Sequence, residues 1–224
     1  MTIQWLGQAG ILFRTADMTI MVDPYLSNSV GKINPENHRR VPVAEELFQI
    51  KPDILIFTHN HLDHYDPETV THFLNSNERI TVLAPSSVWP EVRKFGGSHN
   101  YVQFNAGTEW SEPGVHFRAV PATHSDPYAI GVVMEAEGRR YYHTGDTLYD
   151  SHVVLAIGQE IDAVFLPING VGNNMNLMDA ARFARAIGAK KAVPIHFGLF
   201  DAIDPADFDC ESKVVPQIYQ EIAL

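Results

Sequence analysis

The sequence predicts an α/β chain whose sheets are flanked by helices on both outer faces. Short apolar runs of strand length recur along the 224 residues and stop abruptly at His, Asp or Asn. Segments with helical spacing fall between several of those runs. The pattern also repeats loosely, because each half carries β-rich segments and then βα units whose strands end in polar residues. Polar strand ends that meet at one sheet edge make a site.

Taken in order, Ile3 to Leu6 and Ile11 to Arg14 read as two strands around the turn Gly7-Gln8-Ala9-Gly10. Met18 to Val22 continues the strand pattern and ends at Asp23-Pro24. Residues 25–42, rich in Asn, Ser, Gly and Pro, read as a long loop of the kind that often carries function. Val43 to Ile50 has helical spacing and leads into a strand over 53–58. Pro67 to Leu74 is a helix, with Asp66 as its cap and proline in the first turn. Ile80 to Ala84 is strand-like, and Val88 to Phe95 is a short helix before Gly96-Gly97. Strand candidates follow at Val102 to Phe104, Val115 to Val120, Ala129 to Glu135, Tyr141 to His143 and Asp162 to Leu166. Asn176 caps a helix that Gly188 stops, Ala192 to Ile195 is a strand, and a helix near 212–222 closes the chain.

No linker or low-complexity tract divides the chain, so residues 1–224 read as one domain with room for a sizeable core. The formal net charge of −11 works against binding a polyanion, and nucleic acid is not an expected partner. The single cysteine, Cys210, allows no intrachain disulfide and fits a cytoplasmic setting. The first residues show no basic segment followed by an apolar core, and no apolar run approaches the roughly 20 residues needed to cross a bilayer. A membrane partner is therefore not expected. A homo-oligomer is left open.

The chemistry concentrates in residues 53–64, Asp-Ile-Leu-Ile-Phe-Thr-His-Asn-His-Leu-Asp-His. A buried-strand run ends in three histidines and an aspartate within six positions. His59 and His61 are two apart, so in extended chain both rings leave on the same side. Asp63 and His64 follow where the chain turns. Imidazole and carboxylate together suit zinc, manganese or iron, and four such groups packed together are costly to bury without a cation. Further ligands should sit at other strand ends. His124 follows the strand at 115–120, Asp146 follows the strand at 141, and His196 ends the apolar run at 192.

This ordered set resembles the metallo-β-lactamase superfamily, whose mark is His-x-His-x-Asp-His followed by a His, an Asp and a His. The resemblance spans nearly the whole chain and implies a four-layer αββα sandwich with the site at one edge of its two sheets. It would put His59, His61 and His124 on one metal and Asp63, His64 and His196 on a second, with Asp146 bridging them. The family's iron-dependent oxygen reductases replace the second histidine of the motif by glutamate, whereas His61 stands here. The β-lactamases proper change the bridging position, whereas Asp146 stands here. Both differences favour a general hydrolase. The segments Asp23-Pro24-Tyr25-Leu26-Ser27, Gly145-Asp146-Thr147, Gly172-Asn173-Asn174-Met175-Asn176 and Ile195-His196-Phe197-Gly198 are more closely similar to the L-ascorbate-6-phosphate lactonase branch.

The resemblance implies a hydrolase that uses a hydroxide bridging two divalent metals, zinc or manganese with iron left open, on a small ester, lactone or phosphorylated metabolite. Two metals roughly 3.5–4 Å apart lower the pKa of the bridging water from about 15.7 toward 7. Asp63 is the candidate catalytic residue, orienting the nucleophile or passing a proton to the leaving group. Asp23 is the candidate for fixing a histidine tautomer. Asn60, Asn174, and Arg39 and Arg40 on the long loop are candidates for contact with substrate. The alternatives are a phosphodiesterase acting on a small phosphodiester and a metal-binding protein without turnover.

Overall fold

A computed structural model describes residues 1–76, 78–158 and 160–224. Two six-stranded mixed sheets lie face to face. In the first, β1 (Thr2–Gly7), β2 (Gly10–Arg14) and β3 (Thr19–Val22) pair antiparallel. β4 (Ile54–Ile56), β5 (Thr81–Ala84) and β6 (Asn100–Gln103) then add in parallel. The second sheet repeats the plan. β7 (Glu109–Glu112), β8 (Val115–Pro121), β9 (Ile130–Ala136) and β10 (Arg139–His143) are antiparallel, and β11 (Ala163–Pro167) and β12 (Lys191–Ile195) extend it in parallel.

The period of two in each strand decides which face meets which layer. In β2 to β5 one set of positions, Ile11, Phe13, Ile20, Val22, Ile54, Ile56 and Leu83, joins residues of the second sheet in the core between the sheets. The alternate set, Leu12, Met21, Leu55, Val82 and Ala84, packs with Val70 and Phe73 of helix α2 (Pro67–Leu74) in a separate outer core. With both faces covered, these strands are continuously apolar. On the far side, α4 (Ser151–Ile157) and α5 (Leu177–Ala186) bury Val153, Ile157, Ala180, Ala181 and Phe183 against the second sheet. The layers run helix, sheet, sheet, helix, as the sequence predicts.

Several elements differ from expectation. The long loop contains a short helix, α1 (Ser29–Ile33), and a 3-10 turn at Pro35–Asn37. The segment with helical spacing before β4 is a 3-10 stretch at Glu45–Gln49. The helix expected over Val88–Phe95 is one turn, α3 (Trp89–Val92), followed by 3-10 at Arg93–Phe95. Strand β7 and helix α4 are additions to the expected elements.

The largest difference is at the C-terminal end, where residues 212–222 are not helical. Val214, Val215 and Pro216 disfavour a helix, and proline cannot supply an interior N–H. The segment instead bridges the free edges of both sheets. Val214 N–H donates to Ala192 O (2.8 Å) on β12, and Ile222 N–H donates to Ile3 O (2.7 Å) on β1. Covering both edges removes open hydrogen-bonding rims.

Candidate metal centre

The strand ends converge as the sequence predicts. β3 ends at Asp23, β4 runs into residues 59–64, β8 into His124, β10 into Asp146 and β12 into His196. These are carboxyl ends of strands, four of them in the parallel parts of the two sheets or adjoining them.

His59, His61 and His124 form a triangle of rings with centroids 4.6–4.8 Å apart. With Asp146 they bring four ligand atoms within 4.8 Å of one another, and Asp63, His64 and His196 bring three together in the same way. Asp146 lies between the two groups. Its Oδ1 is 3.2 Å from His64 Nε2, its Oδ2 is 3.2 Å from His196 Nε2, and the same oxygen is 4.0 Å from His124 Nε2. The Gly145 backbone carries that carboxylate at φ +59°, where a Cβ would meet Ile130 O at 2.7 Å and the Thr58 side chain at 2.9 Å. Only glycine fits there.

Neighbouring groups fix the tautomers. Asp23 Oδ2 accepts from His64 Nδ1 (2.7 Å), which turns Nε2 toward the cluster. The Thr58 hydroxyl donates its proton to Asp23, so toward His59 Nδ1 (3.0 Å) it can only accept. His59 Nε2 is left as a bare lone pair. His59 Nε2, His64 Nε2 and Asp146 Oδ1 are all buried without a hydrogen-bond partner. Buried polar atoms are normally satisfied, and three unpartnered ones within this cluster of ligand atoms are what a cation would satisfy. The donor set fits a divalent metal.

Charge divides the cluster. Burial holds the His59 imidazole well below its ordinary range, with His64 adding to the effect, and burial also lowers His124. For His64, burial opposes the charged form, but Asp146, Asp23 and Asp63 outweigh it and raise the pKa well above the usual value. In His196, burial is likewise overcome by Asp146 and Asp63, and the pKa is pushed up to about 10. Asp63 and Asp146 are held below the usual carboxylate range, since His64 and His196 outweigh their burial.

Two contributors lie outside the set the sequence predicts. Gln8, buried in the β1–β2 turn at φ +50°, donates from Nε2 to Asp63 Oδ2 (2.9 Å) and lies 3.1 and 3.2 Å from the two ring nitrogens of His196. Its carbonyl accepts from His196 N–H (2.8 Å). The signal for it is a long amide side chain between two small residues in a turn where Asn, Asp or Gly is usual. His143 is buried, donates from Nε2 to Ala9 O (2.7 Å), and accepts from Gly145 N–H at Nδ1 (3.1 Å). It locks the Asp146 turn to the Gln8 turn. Backbone strain gathers in the same place, since Gln8, Asp23, Asn173 and His196 all have positive φ.

The remaining expected residues separate. Asn174 donates from Nδ2 to Asp146 Oδ2 (2.8 Å) and is buried at the cluster. The Asn60 side chain is exposed, and its backbone N–H bonds Asp126 Oδ2 (3.1 Å). Arg39 uses its guanidinium on Val41 O (2.8 Å), Tyr25 O (2.7 Å) and the Tyr219 hydroxyl, tying the long loop down. Arg40 is exposed, with its backbone N–H on Leu199 O (3.0 Å). Neither arginine lines the cavity of about 240 Å³ that opens beside Asp63, Asp146 and His196. A larger depression of about 640 Å³ lies on the second sheet near Glu112 and Arg139 and contains none of the clustered ligands.

Residues 18–197 match the family described as "Beta-lactamase superfamily domain". A "UPF0173 metal-dependent hydrolase" of Thermoplasma acidophilum is 31% identical over 92% of this chain and 91% of that protein. One from Thermus thermophilus is 28% identical over 90% of this chain and 85% of that protein. Among solved structures, Igni18, a metallo hydrolase of the archaeon Ignicoccus hospitalis, superposes with a TM-score of 0.78 at 19% identity, covering 98% of this chain and 96% of that one. That last likeness is one of fold.

Proposed function

The chain belongs to the β-lactamase superfamily, among its metal-dependent hydrolases, and on that premise we propose that it hydrolyses a small ester or lactone at a two-metal centre. His59, His61 and His124 would hold one divalent ion and Asp63, His64 and His196 the other, with Asp146 shared. Zinc and manganese are the metals this imidazole-carboxylate set suits best, with iron third. The observation that carries the reading is the set of buried, unpartnered atoms, His59 Nε2, His64 Nε2 and Asp146 Oδ1, inside a ring of further ligands. A divalent ion there makes water a stronger acid and polarises a carbonyl oxygen.

The chain's own groups supply the rest. Asp63 is ionised well below neutral pH, and its Oδ2 is held by Gln8 Nε2 (2.9 Å) at the cavity wall. In this reading it would orient the attacking water and carry a proton to the leaving oxygen. Asp23 keeps His64 in one tautomer, and Asn174 keeps Asp146 turned toward the cluster.

The test is a panel of lactones, esters and phosphodiesters offered to metal-loaded wild-type protein and to His61→Ala. Hydrolysis of a lactone or ester by wild type, at a rate the variant does not reach, is the expected result. If the two proteins cannot be told apart on every substrate, the hydrolase reading fails. A clear preference for phosphodiesters would make the protein a phosphodiesterase.

A further inference from the structure

We propose that Asp126 is a positioning residue for His59 and His61, and that its carboxylate fixes where those ligands stand relative to His124. The proposal rests on the two-metal reading and says what holds the first side of that centre together.

The ligands of that side come from different sheets. His59 and His61 follow β4 in the first sheet, and His124 follows β8 in the second. A metal site works only if its ligands are held to within about 0.5 Å, so the two strand ends need a fixed separation. On the second side Gln8 spans the sheets, from the β1–β2 turn to the ring of His196. On the first side the span runs through the β8–β9 connection. Asp126 is 4% exposed, and its Oδ2 accepts from the Asn60 backbone N–H (3.1 Å). At the start of β9, Ile130 N–H donates to Thr58 O (3.0 Å). The peptide groups before and after His59 are therefore both bonded to residues 126–130.

That segment is itself braced. Asp126 Oδ1 accepts from Tyr128 N–H (2.8 Å) and its carbonyl accepts from Ala129 N–H (3.1 Å), closing a turn two residues after His124. The Ser87 hydroxyl, just beyond β5, also donates to Oδ2. One buried carboxylate thus joins the ends of β4, β5 and β8 beside the metal ligands. Such a group is costly to strip of its donors, so the three segments are held together. The Asn60 side chain is exposed, and that residue takes part through its N–H alone.

A residue that only shaped its own turn would need Oδ1, which asparagine also offers. Asp126→Asn therefore isolates the bond across the sheets: Oδ1 stays for Tyr128, and the Nδ2 that replaces Oδ2 cannot accept from Asn60. In metal-free protein, amide hydrogen exchange should speed up about tenfold or more at Asn60 and stay unchanged at Tyr128. Zinc titration against a competing chelator should resolve two binding steps, and His61→Ala marks the one that belongs to the first side. Asp126→Asn should weaken that step about tenfold and leave the other within about twofold. Asp126→Ala, which removes both oxygens, should weaken it at least as much. An Asn60 amide that exchanges no faster in either variant, a first-side affinity within about twofold of wild type once it does, or equal weakening of both steps would overturn the proposal. If wild type binds one ion or none, the two-metal reading fails, and the exchange rate of Asn60 still decides whether Asp126 holds the ligand segment.

Discussion

His59, His61 and His124 on one side of Asp146, and Asp63, His64 and His196 on the other, are built from the same few residue types but are held in different ways. On the first side burial keeps His59 and His124 neutral, and the partners are hydroxyls and a backbone carbonyl, Thr58 on His59, Ser125 on His61 and Asn173 O on His124. On the second, carboxylates draw protons onto His64 and His196, and buried partners brace every ligand: Asp23 on His64, Gln8 on Asp63 and on His196. The difference indicates that a neutral site waits for a cation with lone pairs free, whereas a charged one must surrender protons to receive it.

Changes to this arrangement should act in a graded way. Asp146→Ala removes the carboxylate nearest both sides, and hydrolysis should fall to the background rate with metal content reduced. Full activity in that variant would mean that the two groups do not work as one centre. Asp23→Ala should weaken metal binding about 10- to 100-fold by releasing His64, measured by competition with a fluorescent chelator. Unchanged affinity would reduce Asp23 to a turn residue.

Acidity should separate the sides. With His64 raised and His196 pushed up to about 10, both must lose a proton before Nε2 can ligate, so metal affinity on that side rises with pH and falls as pH drops. The expected slope is about tenfold per pH unit for each proton displaced. Calorimetry in buffers of different ionisation enthalpy counts those protons, and a count of zero at pH 7 would contradict the assignment. Gln8→Ala should cost up to about tenfold in metal affinity on the second side, with the first unaffected. Asn60→Ala, whose side chain is exposed, should stay within about twofold of wild type in rate.

The two sides also differ in how far the sequence reveals them. The ligands are legible because each ends an apolar strand and a cation needs those residue types. Asp23 is legible because it ends a strand in the same way. The supporting residues outside strand ends are not. Gln8 sits in what reads only as a turn, and His143 acts through an Ala9 carbonyl more than a hundred positions away in the chain. For the fold, alternating burial makes the strands of both sheets readable. The C-terminal segment misleads because its spacing fits a helix while Pro216 and two open sheet edges favour an extended path. Arg39 is expected at the substrate on the strength of its charge alone, and nothing in the sequence shows that Tyr25, Val41 and Tyr219 occupy it.

The most direct measurement is the metal content of the purified protein together with its rate on a lactone, before chelation, after it, and after divalent metal is restored. Two metal ions per chain are expected, with hydrolysis that disappears on chelation and returns with the metal. A metal-free protein that kept its full rate would contradict the account.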